Sequence, residues 1–263
     1  MKMKGVALTI AGSDPSGGAG IQADLKTFHQ FGVYGEAAIT LLTVQNTRGV
    51  YRVELVTPEL VREQVERVME DIPPGAAKTG ALGSAEIVEA VAYRAAGFDF
   101  PLVVDPVMIS KHGAPLMNEA ARRALRVCLL PQARLVTPNL HEAMALSGMA
   151  IESVAQMREA AVRIAEFGAR AVLVKGGHLG GDPVDVLWDG VAFHEFTGER
   201  VETVHTHGTG CSYSAAITAL LAQGVGLVEA VGRAKGWIQR AIKGNPGVGG
   251  GQGPVDHFGG PEG

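Results

Sequence analysis

The chain has 263 residues, of which 46% are hydrophobic and 19% charged, with 23 Lys+Arg against 27 Asp+Glu for a net charge of −4. That apolar content excludes a disordered chain, and the mild acidity argues against a sequence-independent nucleic-acid binder, which carries a basic excess. No uninterrupted apolar stretch approaches the ~18–20 residues of a membrane span, and Cys128 and Cys211 are too few for a disulfide framework or a zinc site.

Strand-like and helix-like stretches alternate from end to end. Short, uncharged runs predict buried strands at Val6–Ile10 and Ala38–Val44. A glycine-rich turn between them opens a helix at about Ile21. Pro58–Ile72 has helical spacing, with Thr57 as N-cap and Pro58 at the first helical position. Strand Ala76–Thr79 precedes a helix capped by Ser84 and running to about Ala96, and strand Leu102–Val104 precedes a helix Glu119–Leu130. Strand Leu135–Thr137 leads to short helices from Leu140 and over Val154–Phe167, then to strand Ala171–Val174. Val184–Trp188 and Val191–Phe196 read as a hairpin across Asp189-Gly190, and helices Cys211–Gln223 and Leu227–Ile242 follow. The pattern predicts one domain, a three-layer α/β/α sandwich with a mainly parallel sheet and an antiparallel hairpin near one edge. A (β/α)₈ barrel competes on length, but the hairpin and the paired terminal helices weigh against it. With no signal-peptide core at the N-terminus, the expected location is the cytoplasm.

Glycine is abnormal in number, 36 residues where the usual ~7% would give about half as many. The glycines cluster at 12–20, 176–181, 208–210 and 244–253. Glycine at strand ends commonly marks backbone that approaches a ligand closely, often a phosphate. The run Gly12-Ser13-Asp14-Pro15-Ser16-Gly17-Gly18-Ala19-Gly20 fits neither the P-loop nor the dinucleotide fingerprint, and reads as a tight turn or as a flexible lip over a small substrate. Asp24 lies one turn into the helix that follows, where it either turns towards that space or stays solvated.

Polar residues then recur at the ends of apolar strands, where open α/β sheets bind ligands. Gln45-Asn46-Thr47-Arg48-Gly49 supplies amides suited to a heterocycle, or forms an ordinary polar loop. Asp105 follows one strand; Asn139 and Glu142 follow another, as a capping box or as partners of Asp105 around a hydrated Mg²⁺. Lys175, entering a glycine turn, is a reasonable phosphate counter-charge, whereas His178 is assigned no role. His207-Gly208-Thr209-Gly210-Cys211, directly before an apolar helix, predicts an anion hole of backbone N–H groups and a Cys211 thiol of lowered pKa.

Taken in order, these motifs resemble the hydroxymethylpyrimidine/phosphomethylpyrimidine kinases of thiamine biosynthesis, within the ribokinase-like superfamily. The resemblance runs from about Val6 to Phe258 and includes Thr137-Pro138-Asn139-Leu140-x-Glu142, Val174-Lys175-Gly176-Gly177-His178 and Gly253-Pro254-Val255-x-His257-Phe258. It implies a ribokinase-like sandwich and two ATP-dependent, Mg²⁺-dependent steps: hydroxymethylpyrimidine to its monophosphate, then the monophosphate to the diphosphate. It further implies that Gln45 and Asp24 bind the aminopyrimidine, with Gly12, Ala81 and Val107 around the ring. Cys211 would be the base and Gly208, Thr209 and Gly210 the anion hole, with Lys175 and Asn139 at the ATP phosphates. Asp105 and Glu142 would organise Mg²⁺. A homodimer that meets a small-molecule substrate, with no membrane or nucleic acid, is also implied.

Two positions depart from the family pattern: Ala81 stands where a methionine is expected, opening the pocket, and His205 where an asparagine is. The wider pocket keeps a pyridoxal or pyridoxine kinase as the alternative. A non-catalytic pyrimidine sensor is the reading from another class, but it should have lost Cys211 or Lys175, and both are present.

Overall fold

A computed structural model describes residues 3–110, 113–177 and 180–260. His178 lies outside the described residues. In chain order the elements are β1 (Val6–Ser13), α1 (Gly20–Gln30), β2 (Tyr34–Asn46), β3 (Gly49–Leu55), α2 (Pro58–Asp71), β4 (Ala76–Thr79) and α3 (Ala85–Ala95). There follow β5 (Leu102–Val104), α4 (Glu119–Ala124), β6 (Leu135–Val136), α5 (Leu140–Ser147) and α6 (Val154–Ala165). Then come β7 (Val172–Val174), β8 (Val184–Trp188), β9 (Phe193–Thr197), α7 (Thr209–Ala222) and α8 (Leu227–Lys243).

The strands form one nine-stranded sheet in the order β3-β2-β1-β4-β5-β6-β7-β8-β9. The six from β2 to β7 are parallel, while β3 pairs antiparallel with β2, and β8 and β9 add antiparallel at the other edge. Both edges are therefore antiparallel. The sequence predicts a hairpin near only one, because β3 carries exposed Tyr51, Arg52 and Glu54 and reads as a polar loop.

Strand periodicity explains the three layers. Leu8, Ile10, Leu102, Val104, Val136, Val172 and Val174 face a core shared with α2 to α6. Their neighbours Ala7, Val103, Leu135 and Leu173 face a second core, shared with α1, α7 and α8. The caps form as the sequence predicts: Thr57 accepts from the Leu60 N–H at 3.3 Å and Ser84 from the Ile87 N–H at 3.3 Å. The helix expected over 119–130 is not uniform. It passes into a π-helical turn at Leu125–Leu129 and a 3₁₀ turn at Leu130–Gln132, where Pro131 has no N–H to continue the ladder. Among the described residues, no helix is long and apolar enough to cross a membrane.

Candidate active site

The topology gathers the polar strand ends on one side. Gly12 lies at the end of β1, Gln45 at the end of β2, Ala81 just past β4, Val107 past β5, Asn139 past β6 and Lys175 directly after β7. The chain leaves β1 towards β2 on one side and returns at β4 on the other, so the order reverses around β1, the kind of switch point at which α/β sheets open a crevice.

The N-terminus of α7 closes this crevice. Its N-cap is Gly208, at φ 77°; the Thr209 N–H donates to the Thr206 carbonyl at 3.3 Å, and no capping side chain takes the amides that follow, which suit an anion. Only glycine fits there: a Cβ on Gly208 would lie 1.7 Å from the Gly18 carbonyl oxygen. The glycine-rich segment 12–20 packs directly against this turn and is pinned by Asp14. That carboxylate accepts from the N–H groups of Ser16 (2.8 Å), Gly18 (3.2 Å) and Ala19 (2.9 Å), and from the Ser16 hydroxyl at 2.7 Å. It also meets His207 Nε2 at 2.8 Å. Burial alone would raise its pKa, but hydrogen bonds from His207, Ser16 and Gln45 hold the carboxyl far below the usual carboxylate range. The expectation of a flexible lip is therefore corrected: the glycines serve close packing, and Asp14 ties the segment to the residue that precedes the anion hole.

Lys175, Asp105 and Glu142 come together beside that turn. Lys175 Nζ is 3.1 Å from Asp105 Oδ1, which also accepts from the Thr137 hydroxyl at 3.2 Å, while Asp105 Oδ2 accepts from Ser214 at 3.2 Å. A Cβ built on Gly210 would lie 3.4 Å from Lys175 Nζ and 3.9 Å from Asp105 Oδ2, so glycine leaves room for the pair against the first turn of α7. Asn139 and Glu142 do form a capping box: Asn139 Oδ1 accepts from the Glu142 N–H (3.0 Å) and Glu142 Oε2 from the Asn139 N–H (2.8 Å). Burial pushes Glu142 up to about 7; Lys175 opposes the shift and Asp105 adds to it. Among the described residues, no group of three or more metal-ligating side chains occurs. The donor set is two carboxylates that sense one another, which fits an ion taking one or two protein oxygens and the rest from phosphate and water.

A second buried charge pair sits behind Cys211. Lys78 and Asp24 are both fully buried, with Nζ 2.8 Å from Asp24 Oδ1; Asp24 Oδ2 accepts from the Thr9 hydroxyl at 2.6 Å. This corrects the assignment of Asp24 to an open substrate edge. Both its oxygens are engaged, and it is the counter-ion of Lys78. Lys78 Nζ also reaches the Cys211 carbonyl oxygen at 3.4 Å. The expectation of a lowered Cys211 pKa is overturned as well. Burial pushes the thiol up to about 11, with Asp24 and Asp105 adding to the shift, while Lys78 and a hydrogen bond with the Gly20 backbone only partly oppose it. The helix terminus is there, but desolvation of the thiolate outweighs it.

Gln45 is half-buried and hydrogen-bonds Asp14, which places it beside the pinned glycine segment. A Cβ on Gly12 would lie 2.5 Å from Leu41 Cδ1; the Ala81 carbonyl accepts from the Thr40 hydroxyl at 2.6 Å, and the Val107 N–H donates to the Asp105 carbonyl at 2.9 Å. Lys78, Asp14 and His207 escaped the sequence reading as site residues. Lys78 carried a usable signal, a lysine within an otherwise small and uncharged strand, which is the same signal that singled out Lys175.

Comparison with known proteins agrees with this geometry. Residues 14–256 match the phosphomethylpyrimidine kinase family. The chain is 48% identical over 255 residues to a hydroxymethylpyrimidine/phosphomethylpyrimidine kinase of Synechococcus elongatus, covering 96% of this chain and 97% of that protein. It is 50% identical over 257 residues to the thiamine biosynthesis bifunctional protein ThiED of Geobacter sulfurreducens, covering 97% of this chain but only 52%, about half, of that protein's length. In three dimensions it resembles an ADP complex of Bacillus subtilis pyridoxal kinase, at a TM-score of 0.89 and 40% identity, covering 96% of this chain and 97% of that one. On sequence and fold together, this chain belongs to the phosphomethylpyrimidine kinase family, with a ribokinase-like α/β/α sandwich.

Proposed function

We propose that this chain is an ATP-dependent kinase that phosphorylates 4-amino-5-hydroxymethyl-2-methylpyrimidine to its monophosphate, and the monophosphate to the diphosphate, in thiamine biosynthesis. The observation that carries the reading is Lys175, set with Asp105 against Gly210 in the uncapped first turn of α7. A helix N-terminus and an ammonium converging on one point suit a transferring phosphoryl group, whose charge needs fixed donors around it.

The residues divide the work along the crevice. Gln45, beside the pinned glycine segment, meets the aminopyrimidine edge, with Gly12, Ala81 and Val107 around the ring. Gly208, Thr209 and Gly210 present the anion hole; Lys175 and Asn139 meet ATP phosphates. Asp105 and Glu142 would hold Mg²⁺, which when bound neutralises phosphate charge. Lys175 pairs with Asp105 and keeps the buried carboxylate compensated. Cys211 faces the substrate's hydroxymethyl group. Because its thiol is protonated at neutral pH, it acts as base through a small thiolate fraction, stabilised by Lys78.

Pyridoxal as a second substrate is supported by two observations, the likeness to the Bacillus subtilis pyridoxal kinase and the small side chain at Ala81. Incubation with each alcohol, ATP and Mg²⁺ tests both readings, since only the pyrimidine pathway yields a diphosphate. A cytoplasmic homodimer completes the proposal. The outer ribbon of β2 and β3 exposes Leu42, Val44, Tyr51 and Leu55, and sedimentation of the variant Tyr51→Glu tests whether it is the dimer face.

A further inference from the structure

Asp185 lies on β8, outside every motif considered above, yet it is only 3% exposed. Its Oδ1 accepts from the Gly176 N–H at 3.0 Å, and its Oδ2 from Lys235 Nζ of α8 at 2.7 Å. Tyr213 of α7, two residues beyond Cys211, faces the same carboxylate: burial, with Asp185 adding to it, holds the phenol well above its usual range. One buried carboxylate therefore ties α8 to the turn that follows Lys175, with the Tyr213 phenol of α7 near enough to feel its charge. That turn has no slack. A Cβ on Gly176 would lie 1.9 Å from the Val184 carbonyl oxygen, and the Lys175 N–H donates to the Pro138 carbonyl at 2.8 Å.

A buried ion pair is weak evidence for stability, because apolar residues of similar volume often replace one at no cost. The placement of this pair has a better explanation in what it holds. We propose that Asp185, with Lys235 as its counter-charge, is a positioning residue that fixes the turn after β7 and so aims the Lys175 ammonium at the first turn of α7. The proposal rests on the reading of Lys175 as the phosphate cation.

Two double variants separate the hydrogen bond from the charge. D185N/K235M keeps an oxygen to accept from Gly176 and leaves no buried charge unpaired; D185L/K235M removes both the acceptor and the pair. With thermal unfolding as the fold control, D185N/K235M keeps its kcat and its KM for ATP within about threefold of the parent. D185L/K235M loses at least tenfold in kcat/KM for ATP with the KM for the pyrimidine unchanged, and adding K175M to it costs far less than K175M costs the parent, because residues acting together are not additive. Should D185L/K235M not fold, D185A/K235M takes its place. Equal kinetics in the two double variants, a fully additive K175M loss, or failure of all acceptor-free variants to fold overturns the proposal alone. A K175M variant with normal ATP kinetics overturns the phosphate reading and the proposal with it.

Discussion

The pH dependence of the chemical step should expose the state of Cys211. With the thiol near 11, roughly one enzyme in 10⁴ carries a thiolate at pH 7 and one in 10² at pH 9. A base used through that fraction makes the single-turnover rate rise about tenfold per pH unit between 7 and 9, roughly 100-fold in all. The direction follows from burial: desolvation favours the neutral thiol, so the active form is gained only as pH climbs towards the raised pKa. Cys211→Ala should lower kcat by about 10² or more, the lower end of what a positioned general base contributes, with the KM for ATP nearly unchanged. Cys211→Asp should recover part of the rate and flatten the profile, because a carboxylate titrates far below this window. Rapid-quench measurement of phosphopyrimidine across pH 7–9 supplies the rates. A flat profile in the parent chain, or a Cys211→Ala variant that keeps more than about a tenth of kcat, refutes the thiol as base and leaves the work to positioning and the anion hole.

Other outcomes follow from the same geometry. Gln45→Leu leaves polar substrate edges unmet and should raise the KM for the pyrimidine about 5- to 150-fold with that for ATP unmoved, as read by steady-state kinetics. Asp105→Asn and Glu142→Gln should each raise the Mg²⁺ concentration needed for half-maximal activity while circular dichroism is unchanged. Lys78→Met strands the buried Asp24 and should cost about 3–5 kcal/mol in denaturant unfolding. Glu36, buried and raised to about 7 by burial with Asp71 adding to it, favours the fold only in its protonated form. Its contribution is present at acid pH and lost as pH rises through about 7, so Glu36→Gln should stabilise the protein at pH 8 and do little at pH 5, by unfolding midpoint.

The parallel strands were legible in the sequence because both their faces are buried, leaving short uncharged runs such as Leu102–Val104 and Val172–Val174. The anion hole was legible because Gly208 is required by its positive φ and by a contact so close that no other residue fits, while Gly210 leaves room for Lys175. β3 was not, since a strand exposed on its outer face carries Arg52 and Glu54 like any loop. The state of Cys211 was misread because helix position is written in the chain while burial is not. Asp24 and Lys78 are 54 residues apart, and only the pairing of β1 with β4 puts the lysine beside the first turns of α1. Asp185 belongs with them: nothing local marks an aspartate in a strand as the anchor of a turn nine residues earlier.

The central claim, two phosphoryl transfers in one site, is tested most directly by incubating the protein with hydroxymethylpyrimidine, ATP and Mg²⁺ and resolving the products over time by chromatography. The account predicts that the monophosphate appears first and is then consumed as the diphosphate accumulates, with two ATP spent for each diphosphate. Absence of phosphoryl transfer, or pyridoxal phosphorylated while the pyrimidine monophosphate never advances, would contradict it.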